Sequence, residues 1–142
     1  MTDPPSLTRR RALISMLLAS CARRAQRCGY CGMLVDPRSP WNAQLVANDG
    51  TKTEFDSPRC ALFAWRTGQV GAKEILVQDY YDRTWRRGRE VVFVVSSDVI
   101  GPMGADLVPI DMARAPQFAR EHTGTRPLSL DQITLQLLMD LR

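Results

Sequence analysis

A pair of cysteines separated by two residues is the feature of this sequence with the clearest chemical potential. The motif reads Cys-Gly-Tyr-Cys-Gly-Met over residues 28–33 and ends on a methionine. Two intervening residues allow one turn of backbone to bring both sulfurs to a single ion. Gly29 and Gly32 relieve the steric demands of such a tight turn. Cys28 and Cys31 therefore predict a metal site or a dithiol redox centre.

A structural zinc site is one interpretation of these cysteines. Zinc prefers four ligands, and Cys60 and His122 are the residues that would complete the set. In familiar zinc modules, however, a second close pair of ligands follows the first. Cys60 and His122 each stand alone in the sequence, so their spacing argues against a zinc-stabilised protein.

A dithiol redox centre or a structural disulfide is a second interpretation. A catalytic Cys-x-x-Cys pair normally follows a buried strand and begins a helix whose N-terminus lowers the thiol pKa. Here residues 22–27 are polar, and Leu34 and Val35 lead into a proline-rich turn at 36–40. The motif thus lacks the flanking elements of a lipid-anchored oxidoreductase, although an exported protein would permit disulfides.

Methionine favours a third interpretation, a site for a soft metal ion. Met33 lies two residues after Cys31, and Met103 lies between a proline and a glycine on a predicted turn that presents its side chain. Thiolate and thioether ligands together favour Cu(I) over hard cations. We therefore predict Cu(I) as the bound ion. The candidate metal ligands are the sulfur-bearing residues of the two motifs: Cys28, Cys31, Met33 and Met103.

Other residues able to bind a metal are expected outside the site. Met112 and Met139 lie in or beside apolar helical patterns, which predicts that they fill the core. Cys60 lies early in a predicted helix, where most single cysteines are small core residues. His122, beside Glu121 near a helix end, is expected on the surface. The acidic residues show no paired spacing for acid–base catalysis, so we predict no enzymatic activity.

The start of the chain has the features of an export signal. A basic stretch precedes an apolar run of eight residues, 12–19, which is followed by Ser20 and Cys21. Such a run is too short to cross a bilayer but fits a signal peptide. We predict a lipoprotein signal peptide over 1–20, lipid on Cys21, a linker over 21–27, and attachment to the periplasmic face of a membrane. The alternative is a basic N-terminus on a cytosolic protein.

The net charge argues against nucleic acid as a partner. The formal charge is +4, and residues 1–20 carry half of it. The remaining +2 is too small an electrostatic footprint for DNA or RNA, and no basic stripe with interleaved aromatic residues is present. A chain of 142 residues has room for one domain with its own hydrophobic core.

The elements expected around the motifs belong to an α+β fold with mostly antiparallel sheet. Strands are predicted at 43–47, 51–55, 74–79, 91–97 and 107–110, with a loop over 100–105. Helices are predicted from Pro58, with Ser57 as the N-cap, to a stop at Gly68, over 113–121, and from Ser129 to the C-terminus. The run at 91–97 is apolar on both faces and should be central. Both halves repeat one order of motifs, which predicts two similar strand-strand-helix units plus a C-terminal helix.

The motifs also occur in an order shared with a known family. In chain order they are Cys28-x-x-Cys31-Gly-Met33, Trp41-Asn42-Ala43-Gln44, Phe55-Asp56, Val77-x-Asp79, Trp85 and Pro102-Met103-Gly104. This arrangement resembles the NosL family of lipoproteins that assist nitrous oxide reductase. The resemblance covers most of the predicted metal-binding domain, 28–142, and its two ends are the specific parts.

The resemblance implies a periplasmic Cu(I) chaperone that supplies copper to a copper enzyme, nitrous oxide reductase. It implies membrane-bound maturation factors as partners, and a fold of two similar units related to that of organomercurial lyase. Cys28, Cys31 and Met33 match one motif of the family, and Met103 matches the other. With a single histidine in the chain, a site that needs several imidazoles is excluded.

Overall fold

The computed structural model describes residues 24–123 and 126–141, so the predicted signal peptide and the lipid on Cys21 lie outside the described residues. The strands within these ranges are β1 (Ala43–Val46), β2 (Lys52–Phe55), β3 (Glu74–Gln78), β4 (Trp85–Arg87), β5 (Val91–Val95), β6 (Ile100–Gly101), β7 (Gly104–Ala105), β8 (Val108–Asp111) and β9 (Arg126–Leu128). The α-helices are α1 (Pro58–Arg66), α2 (Ala115–Glu121) and α3 (Leu135–Asp140).

The larger strands form two antiparallel sheets of matching topology. The first sheet has the order β2-β1-β3-β4 and the second has the order β8-β5-β9. In each sheet, the first strand of a β-β-α-β unit is central, and the strands before and after the helix pair with its two edges. The α+β prediction with two similar strand-strand-helix units and a C-terminal helix is confirmed.

Strand β5 contributes to two hydrophobic cores. Val91, Phe93 and Val95 pack with the first sheet, α1 and α3, whereas Val94 packs with Val108 and other residues of the second unit. Successive side chains of a strand point to opposite faces, so an all-apolar strand serves both cores. The predicted central position of this run is confirmed.

The C-terminal segment differs from its prediction. Instead of one helix from Ser129, a 3-10 helix at Leu130–Gln132 is followed by extended backbone, and α3 begins only after Thr134. The Thr134 hydroxyl accepts a hydrogen bond from the backbone N–H of Leu137 and so starts a second helix. The predicted apolar stripe is nevertheless buried at Leu130 and other positions along the segment.

Two methionines, two strands and one loop also depart from the predictions: the loop predicted over 100–105 forms the short β6–β7 hairpin. Met112 and Met139 are 63% and 52% exposed, so the prediction that they fill the core was wrong. Their helical segments bury few residues, and the buried residue of α3 is the neighbouring Leu138. Strands β4 and β9 were not predicted, because their exposed arginines and a proline conceal the pattern of an edge strand.

Two further observations concern the ends of the domain and the membrane. The last residues of the predicted linker are folded: Arg27 forms a β-bridge with Leu34, and the carbonyl of Gln26 accepts from the N–H of Val35. Over residues 24–123 and 126–141, no helix has the length and apolar character needed to cross a bilayer.

A buried carboxylate joins the end of the first sheet to the second. Asp79 is fully buried, and its side chain accepts hydrogen bonds from the N–H groups of Tyr81 at 2.9 Å and Asp111 at 2.6 Å. The guanidinium of Arg114 lies 3.8 Å from the same carboxylate. Since Asp111 ends β8, this one side chain links both units.

Replacement of Asp79 by alanine tests this link. The change leaves buried N–H groups without acceptors, so we expect the free energy of unfolding to fall by about 3 kcal/mol, as measured by urea denaturation. Asp131→Ala is the control, because Asp131 is exposed and forms an ion pair with the exposed Arg89. In this variant the free energy of unfolding should fall by less than about 0.5 kcal/mol. Equal losses in the two variants would contradict the proposed role of Asp79.

Candidate metal centre

Residues 28–33 form a tight loop closed by two backbone hydrogen bonds. The N–H of Cys28 donates to the carbonyl of Met33 at 2.8 Å, and the N–H of Gly32 donates to the carbonyl of Cys28 at 3.1 Å. Gly32 has a φ of +74°, a conformation that a residue with a side chain rarely adopts. The loop therefore turns sharply between its two cysteines, as the motif predicted.

Gly29 brings this cysteine loop into contact with the end of β2. Its N–H donates to the carbonyl of Glu54 at 2.9 Å, and its carbonyl accepts from the side chain of Gln69. A Cβ atom at this position would lie 2.7 Å from Cγ2 of Thr53 and 3.1 Å from the ring of Phe55. The absence of a side chain is therefore what allows the loop to lie against the strand.

The start of α1 and the residue before its cap supply two further potential metal ligands, Cys60 and Asp56. Ser57 is the N-cap and accepts a hydrogen bond from the N–H of Cys60 at 3.2 Å, while Pro58 occupies the first turn. Both features were predicted from the sequence. Asp56 lies between the end of β2 and this cap, so the strand-to-helix connection carries one carboxylate and one thiol.

Four ligand atoms converge where the cysteine loop meets the start of α1. The sulfurs of Cys28, Cys31 and Cys60 and a carboxylate oxygen of Asp56 all lie within 4.8 Å of one another. The Cys31 thiol donates to Oδ2 of Asp56 at 3.3 Å. Cys28 and Cys60 are each 4% exposed, and all three thiols are free. This group, hereafter the thiol cluster, has the donors to hold one metal ion.

The predicted ligands are partly brought together. Cys28 and Cys31 both belong to the thiol cluster, whereas the side chains of Met33 and Met103 are about half exposed, at 49% and 48%. Met33 ends the cysteine loop. Met103 lies at the tip of the β6–β7 hairpin, where the sequence predicted an exposed turn.

Two donors of the thiol cluster were not predicted. Cys60 was assigned to the core, and it is buried, but its sulfur also faces Cys28. Their proximity to the cysteine loop follows from the topology, because an antiparallel β1–β2 hairpin places the residues before β1 beside those after β2. The observed register pairs Ala43 with Phe55, so Asp56 and Cys60 follow directly at the edge where the cysteine loop lies.

His122 lies in a different part of the molecule. Its ring stacks on Phe118 with centroids 4.3 Å apart and bonds to Asp98 at 2.8 Å and to the hydroxyl of Tyr80 at 3.3 Å. Its side chain is 20% exposed at the end of α2, so the predicted surface position holds in part. The zinc set that joined His122 to the cysteines is not assembled.

Hydrogen bonding divides the charge unevenly among the three thiols. The Cys60 thiol donates to the sulfur of Cys28, and this bond, aided by nearby backbone groups, lowers the pKa of Cys28 to about 6 against the opposing effect of burial. The same hydrogen bond and burial raise the pKa of Cys60. Burial raises the pKa of Cys31. In this cluster the negative charge is therefore favoured on Cys28 over Cys31 and Cys60.

The pKa of Cys28 can be measured by thiolate absorbance near 240 nm. We expect one thiolate to form with a midpoint near pH 6 and Cys60→Ala to raise that midpoint, because the donor that stabilises the thiolate is removed. An unfolded thiol has a pKa of about 8.5, so this interaction stabilises the fold above that pH and is lost as the pH falls through the folded value.

Cys31→Ser is the control for this titration, because serine retains the backbone group of residue 31 and a hydroxyl that still donates to the sulfur of Cys28. The low midpoint should persist in this variant. A midpoint that stays near pH 6 in Cys60→Ala would show that another group stabilises the thiolate.

The close contact at Gly29 can be tested by adding a methyl group. Gly29→Ala should push the cysteine loop away from Thr53, expose Cys28 and accelerate its reaction with a disulfide reagent by at least about tenfold. Thr53→Ser removes the obstructing Cγ2 atom and should partly restore protection in the double variant. Gly71→Ala is the control, since a Cβ atom there has open space. Unchanged reactivity in Gly29→Ala would contradict the proposed contact.

Comparison with known proteins agrees with the fold and identifies the family. The NosL family model matches residues 21–138. A crystal structure of the copper chaperone NosL from Shewanella denitrificans superposes with a TM-score of 0.66 at 22% identity, covering 78% of this chain and 91% of that chain. Among curated proteins, none matches the sequence. The chain belongs to the NosL family.

Proposed function

We propose that this protein carries Cu(I), accepting the ion at the thiol cluster and passing it to a copper enzyme. The observation that carries this proposal is the convergence of three free thiols and one carboxylate within 4.8 Å. Sulfur donors favour soft cations. The family and the fold shared with a copper chaperone support the same conclusion.

The pKa values of the three thiols favour Cu(I) over a structural zinc ion. A structural zinc site normally binds several deprotonated thiols, and binding then releases their protons. Here Cys28 supplies one thiolate, whereas the pKa values of Cys31 and Cys60 are raised. One thiolate with neutral sulfur ligands is a donor set that suits Cu(I), and the Asp56 carboxylate remains the acceptor for the Cys31 thiol.

The exposure of the sulfur atoms suits transfer of the ion. Cys28 and Cys60 are buried, Cys31 is half-buried, and Met33 and Met103 are exposed. Cu(I) accepts two or three ligands, so a sulfur from a partner can bind before a donor sulfur leaves. In this proposal Cys28 is the principal ligand, Cys31 assists it, and the thioether of Met103 completes the site from its hairpin.

The proposed setting is the periplasmic face of a membrane. The predicted signal peptide over 1–20 and lipid on Cys21 would hold the domain at that surface. Attachment raises the effective concentration of membrane-bound maturation factors around the carrier. The sequence resemblance supports nitrous oxide reductase as the copper enzyme that receives the ion.

A dithiol oxidoreductase is the second candidate, because a thiol with a lowered pKa is also what disulfide exchange requires. Two observations weigh against it. Cys28 is 4% exposed, which hinders attack on a substrate disulfide, and it lies in a loop instead of at a helix N-terminus. An oxidoreductase would reduce insulin in a reaction that depends on both Cys28 and Cys31 and is indifferent to Met103.

Anaerobic titration of the reduced protein with Cu(I) against a chromophoric chelator tests the carrier. We expect one tightly bound ion and a loss of affinity of about tenfold or more in Cys28→Ser, with smaller losses in Cys31→Ser and Met103→Leu. Met112→Leu is the control, because it changes a similarly exposed methionine on another element. Wild-type affinity in all three site variants would overturn the assignment.

A further inference from the structure

The hairpin that carries Met103 has little structure of its own. Strands β6 (Ile100–Gly101) and β7 (Gly104–Ala105) pair at only two positions, and the hairpin belongs to neither of the larger sheets. A ladder this short does not fix the direction of a hairpin in water. Its position relative to the thiol cluster must therefore be set by contacts at its base.

Arg59 contacts the base of this hairpin from the first turn of α1. Its guanidinium donates to the carbonyl of Ala105 at 3.0 Å and to the carbonyl of Leu141 at 2.9 Å. The guanidinium also lies over the ring of Phe63, 5.9 Å from its centroid. Because these contacts differ in direction, they hold the planar group in one orientation.

Asp106, in the second unit, accepts a hydrogen bond from the backbone of Arg59. It is 3% exposed, and Oδ1 accepts hydrogen bonds from the N–H groups of Arg59 at 3.0 Å and Leu107 at 2.8 Å. The carboxylate thus binds an N–H group at the start of α1, where negative charge is favourable. Gly101 packs so closely that a Cβ atom there would lie 2.7 Å from Cβ of Asp106.

These contacts connect the hairpin to the thiol cluster. Arg59 precedes Cys60 in the chain, and Cys60 belongs to the cluster. The side chain of Arg59 holds residue 105, and its backbone holds residue 106, so the hairpin base and the first turn of α1 form one rigid contact. Met103 lies two residues before Ala105.

We propose that Arg59 and Asp106 are positioning residues, which hold the β6–β7 hairpin against α1 so that the Met103 thioether is a ligand for the ion bound at the thiol cluster. The proposal rests on the proposed Cu(I)-carrier function. Its physical basis is preorganisation: a hairpin already held in place loses less conformational freedom when its methionine binds the ion. Residues that orient metal ligands in this way typically change metal affinity by about 10–100-fold.

A double-mutant cycle on Cu(I) affinity separates positioning from general stability. The four proteins are wild type, Arg59→Gln, Met103→Leu and the double variant. We expect Arg59→Gln to weaken Cu(I) binding by about tenfold in the wild-type background and by less than about twofold when Met103 is already replaced. Equal losses in both backgrounds, or no loss from Arg59→Gln, would overturn the proposal.

Arg66→Gln is the matched control for this cycle. Arg66 lies in the last turn of α1, and its guanidinium donates to the carbonyls of Leu130 and Ile133 but not to the hairpin. It should destabilise the fold as Arg59→Gln does and leave Cu(I) affinity unchanged. A loss of affinity in Arg66→Gln equal to that in Arg59→Gln would show that both arginines act through stability alone.

Substitution of Asp106 provides an independent test if Arg59→Gln does not fold. Asp106→Asn keeps an oxygen acceptor for the N–H of Arg59 and should retain Cu(I) affinity within about twofold of wild type, whereas Asp106→Ala should lose about tenfold. Equal affinity of the two variants would contradict the proposal.

A spectroscopic readout follows the ligand itself. With methyl-labelled methionine, Cu(I) should shift the Met103 methyl resonance in wild type and in Asp106→Asn, and shift it less in Asp106→Ala. A Met103 resonance that does not respond to Cu(I) in wild type would exclude it as a ligand. If Cys28→Ser also left Cu(I) affinity unchanged, the carrier function itself would fail, which is a different result from failure of the hairpin contacts alone.

Discussion

The antiparallel register of β1 and β2 is the constraint on which the thiol cluster depends. Pairing of Ala43 with Phe55 places the chain that precedes β1 beside the chain that follows β2. The cysteine loop and the start of α1 therefore meet at one edge of the first sheet, although about thirty residues of sequence separate them. Gly29 then allows contact at a distance that a larger residue would not permit.

The local elements around the site could be predicted, because each had a signal within a few residues. Ser57 and Pro58 predicted the start of α1, and the strand-like runs at 43–47 and 51–55 predicted β1 and β2. Both units of the fold were predicted by the same means. The start of the C-terminal helix was not, since Thr134 provides a second cap inside an apolar stripe that reads as continuous.

The composition of the thiol cluster was only half predictable from the sequence. Spacing showed that Cys28 and Cys31 share a turn, but an isolated Cys60 carries no spacing signal, and its burial makes it resemble a core residue. Only the register of the hairpin shows that its sulfur faces Cys28. Met112 and Met139 show a different error. They fit an apolar pattern and were predicted to be buried, yet their short helical segments leave them exposed.

The two loops at the site have a consequence for the speed of copper exchange. Residues 28–33 and the β6–β7 hairpin are short connections on a scaffold whose two units share buried contacts at Asp79. Movements of such loops take about nanoseconds to microseconds, whereas collective motions of whole domains take about microseconds to milliseconds. For the proposed Cu(I) carrier, release of an ion would require only the faster kind of motion. We therefore expect the lifetime of the bound ion to be set by sulfur-for-sulfur exchange with a partner and not by opening of the domain.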